Sequence, residues 1–141
     1  MNKIVLIAIV FLGFGISSSA QEPIHLNETS FKEKVFDYEK NKEWKFEGDK
    51  PVIVDFYADW CRPCKMVAPT LEALAKEYDG DIVIYKVNTD KNPNVSRAFG
   101  ISGIPAFLFV PKTGTPSMAT GALPKETFVK AITEVLKVSK N

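Results

Sequence analysis

Two runs of the chain are apolar at both alternating positions. Residues 51–57 read Pro-Val-Ile-Val-Asp-Phe-Tyr, and residues 82–87 read Ile-Val-Ile-Tyr-Lys-Val. A strand apolar on both sides belongs inside a sheet that is covered by helices. A third run, residues 106–110 (Ala-Phe-Leu-Phe-Val), follows Ile104-Pro105. Residues 23–27 form a short candidate edge strand, and residues 117–120 a weakly patterned one. Helical spacing fills the gaps. Ser30-Phe31-Lys32-Glu33 has the form of a capping box and predicts a helix start there, with Phe31, Val35 and Tyr38 near one face. Met66, Val67, Leu71, Leu74, Ala75 and Tyr78 recur at helical period, with Pro69 expected to kink the helix. Asn92-Pro93 reads as a cap and a first helical position, opening a short helix through Phe99 that Gly100 ends. The last helix presents Phe128, Ile132, Val135 and Leu136. The expected order is β-α-β-α-β-α-β-β-α: an α/β domain with a central mixed sheet flanked by helices on both faces.

Residues 39–50 interrupt this pattern. They are polar apart from Trp44 and Phe46, and Trp44-Lys45-Phe46 reads either as a short strand or as a lid over the first helix. Gly48-Asp49-Lys50-Pro51 reads as a turn.

The start of the chain has a different character. Lys3 is followed by an almost wholly apolar stretch from Ile4 to Ile16 and then by Ser17-Ser18-Ser19-Ala20. A positive start, an apolar centre and small residues before a cut after Ala20 make a secretory signal peptide. The apolar stretch falls short of the roughly 20 residues that span a bilayer. Residues 1–20 are therefore assigned as a leader and residues 21–141 as one exported domain, with no stable membrane insertion after cleavage. The chain carries 18 Lys+Arg against 17 Asp+Glu, and loss of Lys3 balances them. Basic residues are spread singly among acidic ones, which gives no nucleic-acid footprint.

The candidate chemistry lies in Ala58-Asp59-Trp60-Cys61-Arg62-Pro63-Cys64-Lys65, which holds the only two cysteines. A strand delivers them and a helical pattern follows. The first turn of a helix has unpaired N–H groups and the positive end of the dipole, and both favour a thiolate. Two bland alternatives are weak. A staple closing two residues removes little unfolded-state entropy. Half a zinc site lacks partners, since His25 is the only other soft ligand. No metal or cofactor is expected. Asp55 is a carboxyl inside an apolar strand, costly unless it has a partner or a task. Desolvation should raise its pKa. Lys86, the odd charge of the next strand, is a candidate partner. His25 reads as an ordinary half-exposed strand histidine. The asparagines of Asn27-Glu28-Thr29 and Asn94-Val95-Ser96 read as helix-start chemistry rather than as glycosylation sites.

These residues together resemble the thioredoxin family over nearly the whole mature chain. The matching pieces are Val54 through Met66 with Ala68-Pro69, then Lys86-Val87-Asn88, Asp90, Asn92-Pro93, the segment Gly100 to Pro105, and Gly121-Ala122. The resemblance implies a redox disulfide between Cys61, the exposed nucleophile, and Cys64, the buried resolving thiol. Asp55 would shuttle a proton to and from Cys64, with Lys86 holding its charge in check. Pro105 would be cis and face the disulfide. Trp60, Arg62, Pro63, Gly103, Ile104, Gly121 and Ala122 would bind the substrate with it. Arg62 departs from the family's usual glycine, and residues 39–50 have no counterpart in its simplest members. The function implied is thiol–disulfide exchange outside the cytoplasm, reducing or shuffling disulfides of exported proteins in a bacterial periplasm. Its electrons would come from a thiol donor such as a membrane reductase. Two other readings stay open: an oxidase that donates its disulfide, and a binding module that uses the fold as a platform.

Overall fold

The computed structural model describes residues 19–140. Residues 1–18, on which most of the expected leader falls, lie outside the described residues. Five strands and four helices follow in the expected order: β1 (Ile24–Leu26), α1 (Glu28–Lys34), β2 (Val52–Tyr57), α2 (Arg62–Glu77), β3 (Val83–Asn88), α3 (Pro93–Ala98), β4 (Ala106–Val110), β5 (Ser117–Thr120) and α4 (Lys125–Glu134). The sheet order is β1-β3-β2-β4-β5. The first three of these strands are parallel, and β4 and β5 are antiparallel to their neighbours. The strand that feeds the cysteine pair, β2, is therefore the central one.

Alternation along the strands splits the interior in two. Ile53, Ile84, Phe107 and Phe109 pack with Val67, Leu71, Leu74 and Ala75 of α2 and with Phe128 and Ile132 of α4. On the other face Val52, Val54, Phe56, Val87 and Leu108 pack with Phe31, Val35 and Val95. The period of two puts Asp55 on the same face as Ile53, under α2. Register sets Asp55 directly opposite Lys86 on β3 and opposite Phe107 on β4.

Three local expectations are corrected and one open alternative is decided. The helix α1 starts earlier than Ser30, because Asn27 caps it. The Asn27 side chain accepts the Ser30 N–H and Ser30 Oγ accepts the Asn27 N–H, each at 2.9 Å. Asn92 makes no side-chain cap to α3. Its Nδ2 donates instead to the Asn88 carbonyl at 2.9 Å. Met66 does not join the core but is 68% exposed, because it lies one position, about 100° of helix, before the Val67–Leu71–Leu74 stripe. Residues 44–46 form no strand. Trp44 stacks on Phe36 at 4.8 Å between ring centroids and meets Phe99 edge-on at 6.4 Å. The Glu47 N–H donates to the Val35 carbonyl, closing the segment over α1 as a lid.

Trp44→Ala should lower the free energy of unfolding by about 2–3 kcal/mol, below the cost for a fully buried aromatic residue because Trp44 is half-buried. Urea denaturation measures it. Disulfide-exchange rate per folded molecule should not change, since the lid lies across the sheet from Cys61.

Candidate active site

A disulfide joins Cys61 and Cys64, whose Cα atoms are 5.3 Å apart. The chain leaves β2 at Tyr57, turns through Ala58, Asp59 and Trp60, and enters α2 with Cys61 as its N-cap. Cys61 Sγ accepts the Cys64 backbone N–H at 3.3 Å, so the sulfur takes up a donor that the helix start would leave unpaired. Arg62 and Pro63 are the first helical residues. Proline fits there because no intrahelical partner needs its missing N–H. The first turn contains no acidic residue to offset the positive end of the helix.

The two sulfurs do not divide into exposed and buried. Cys61 is 3% exposed and Cys64 5%, both packed with Ala58 and against Tyr57 and Ile104. In the disulfide state the first cysteine is thus covered too, and the neighbouring Trp60 is the exposed group at 71%. Asp90 Oδ2 fixes the Trp60 indole by accepting its N–H at 2.8 Å. Ile104 comes to the disulfide from the loop before β4, and its peptide bond to the buried Pro105 is cis. The Gly121 N–H donates to the Pro105 carbonyl at 2.8 Å. A Cβ on Gly103 would lie 3.5 Å from Thr120 Cγ2, so this loop and the end of β5 meet. Gly121 has φ +103°, a conformation that suits glycine. Of the residues expected to bind substrate, Ile104 meets the sulfurs, Gly103, Pro105 and Gly121 meet around the end of β5, and Trp60 stands exposed beside Cys61. Arg62, Pro63 and Ala122 are exposed, and the structure records no contact of theirs with the sulfurs.

Beneath α2, Asp55 is 2% exposed. Its Oδ2 lies 4.0 Å from Lys86 Nζ, and its Oδ1 has no hydrogen-bond partner. The carboxyl is raised to about 7: burial pushes it up, and the Lys86 charge offsets part of that rise. A cavity of about 300 Å³ is lined by Tyr57, Ala58, Asp59, Cys64, Lys65, Ala68 and Lys86, the lysine that faces Asp55. It has room for water between Cys64 and Lys86. Among the described residues no group of three or more His, Cys, Asp or Glu side chains could hold a metal ion.

A closely spaced cysteine pair joined at a helix tip, above a buried carboxyl, is the arrangement of a thiol–disulfide oxidoreductase. A thioredoxin family profile matches residues 22–134. Thioredoxin of Borreliella burgdorferi is 48% identical over 109 residues, which cover 77% of this chain and 93% of the relative. Thioredoxin 1 of a Nostoc species is 38% identical over 117 residues, 83% of this chain and 96% of the relative. Among solved structures, chloroplastic thioredoxin z superposes with TM-score 0.70 at 25% identity, covering 83% of this chain and 96% of that one. The chain belongs to the thioredoxin family, and the sheet with its flanking helices is the thioredoxin fold.

Asp55 ties stability to pH. The unfolded carboxyl titrates near 3.8 and the folded one near 7, so the native state holds more protons in that window. Stability contributed by the neutral carboxyl is present below about 4 and is lost as pH rises through 7. Asp55→Asn should remove this loss, making the variant more stable at pH 8 by on the order of 4 kcal/mol and no different below pH 4. Urea unfolding at a series of pH values checks it; parallel curves for the two proteins would contradict the assignment.

Proposed function

We propose that this thioredoxin-family protein reduces or shuffles disulfides of exported proteins, in the periplasm of a bacterium. The observation that carries the reading is the buried Asp55 carboxyl, with Oδ1 unpartnered, facing the Lys86 that lines one cavity with Cys64. A base of this kind is needed to deprotonate a covered second thiol. In the reduced protein the Cys61 thiolate attacks a target disulfide. One Cys61–target S–S bond forms, the target's own S–S bond breaks, and the expelled target thiolate takes a proton from solvent. The Asp55 carboxylate, with water in the cavity as go-between, takes the proton of Cys64. The Cys64 thiolate then attacks Cys61 Sγ, closing the intramolecular disulfide and releasing the second target thiolate. Two electrons pass from the dithiol to the target. A pKa of about 7 suits both directions of that proton transfer. A thiol donor, for which a membrane reductase is a fitting source, restores the dithiol.

The substrate lies on Trp60, Gly103, Ile104, Pro105, Gly121 and Ala122. Ile104 before Pro105 resembles the reducing branch of the family. Export rests on the leader's composition, Lys3 followed by the apolar stretch and the small residues up to Ala20. Arg62 sets the driving force. Its guanidinium, one residue beyond Cys61, favours the thiolate, stabilises the reduced form and raises the potential relative to glycine.

Cys64→Ser should hold exported proteins on Cys61 as mixed disulfides that a reductant releases, and mass spectrometry of the trapped species would identify them. No trapped protein, together with no reduction of insulin by the wild type, would remove the reading. Arg62→Gly should lower the reduction potential, by about 30 mV for each 1.4 kcal/mol of lost thiolate stabilisation. Equilibration with glutathione measures it, and an unchanged potential would dismiss this role. N-terminal sequencing of the protein from an osmotic-shock fraction should begin at Gln21; an intact Met1 in the cytoplasmic fraction would contradict export.

A further inference from the structure

His25 on β1, Lys86 on β3 and Asp55 on β2 are register partners in one row across three strands. Tyr57 stands two residues beyond Asp55, on the same face. Its ring covers the Lys86 ammonium, with Nζ 4.5 Å from the ring centroid. Its hydroxyl shares a hydrogen bond of 3.1 Å with His25 Nδ1. The phenol therefore crosses β3 from one neighbour to the other and roofs the lysine. Adjacent strands lie only about 4.8 Å apart, and a lysine stem is long enough to bring its ammonium to a facing carboxylate. Yet Nζ stops 4.0 Å from Asp55 Oδ2 and makes no hydrogen bond to it, while Oδ1 stays unpartnered. A cation shared by a π face and a carboxylate settles between the two attractions.

We propose that Tyr57, tethered by His25, is a positioning residue that withholds Lys86 from Asp55 and keeps the carboxyl unpaired for proton exchange with Cys64. The proposal rests on Asp55 being the base for Cys64. Other charged groups face Lys86 without replacing the ring. Glu22 and Glu72 line, with His25, the cavity on one side of it, and Asp59 and Lys65 line the cavity on the Cys64 side. Asp55 is the one carboxylate within ion-pair distance of Lys86 among the described residues. With the ring removed the ammonium keeps a single strong attractor. It closes on Asp55, and the carboxylate becomes a weaker base.

The test follows the Asp55 carboxyl by carbon NMR through a pH titration of the full chain in its disulfide form. Tyr57→Leu should lower the midpoint by about one unit, a tenfold loss of proton affinity. His25→Ala, at an exposed position, frees the phenol and should lower it by less. In a Lys86→Gln background neither substitution should move the midpoint further. An unchanged or raised midpoint in Tyr57→Leu, or an equal shift with and without Lys86, would overturn the proposal. Should Tyr57→Leu not fold, the His25→Ala and His25→Ala/Lys86→Gln pair decides it by the same criteria. Insulin reduction by the wild type tests the reductase reading separately.

Discussion

A buried carboxyl group with one oxygen lacking a hydrogen bond is the constraint at the centre of the site. Burying an ionisable group costs several kcal/mol unless it stays neutral or is paired. Here it does neither completely. Asp55 sits where burial favours its neutral form and Lys86 favours its charged form, and the balance lies near neutrality. The central strand carries it on the face that α2 covers, and α2 also brings Cys64 to the cavity that Lys86 lines. The fold tolerates a local weakness in its interior.

The disulfide complements this arrangement from above. Cys61 caps α2 through its own sulfur, so the helix start is completed by the reactive atom rather than by a separate serine or asparagine. Donors at a helix N-terminus are fixed before any charge develops on the sulfur, and fixed dipoles stabilise charge without reorganising. The loop bearing Ile104 and Pro105 closes the other side. Both sulfurs are consequently covered in the oxidised protein, and the broad exposed surface next to them is the Trp60 indole.

Much of this was legible in the sequence, because periodicity and exceptions to it carry information. The order of elements followed from alternation and helical spacing. Asp55 stood out as a charge in an apolar strand, and Lys86 as another. What stayed hidden depended on register or on competition between similar local signals. Two overlapping helix-start patterns, at Asn27 and at Ser30, are both readable in the sequence, and the folded chain decides for Asn27. Met66 looked apolar enough for the core but lies a hundred degrees off the buried stripe. The contact between His25 and Tyr57 joins strands whose pairing order is not written locally. Its one visible trace was that Tyr57 shares the parity of Asp55. Coverage of Cys61 depends on Ile104, more than forty positions away.

The lid formed by residues 39–50 has a consequence of its own. It packs on the face of the sheet opposite the sulfurs, with Phe36, Trp44 and Phe99. The sheet thus stands between this segment and the sulfurs. Because closing a longer loop costs only about 0.6 kcal/mol for each doubling of its length, whole peptide modules can be spliced into this segment. A redox carrier built in this way could gain addresses, tags or tethers without disturbing its electron-transfer half.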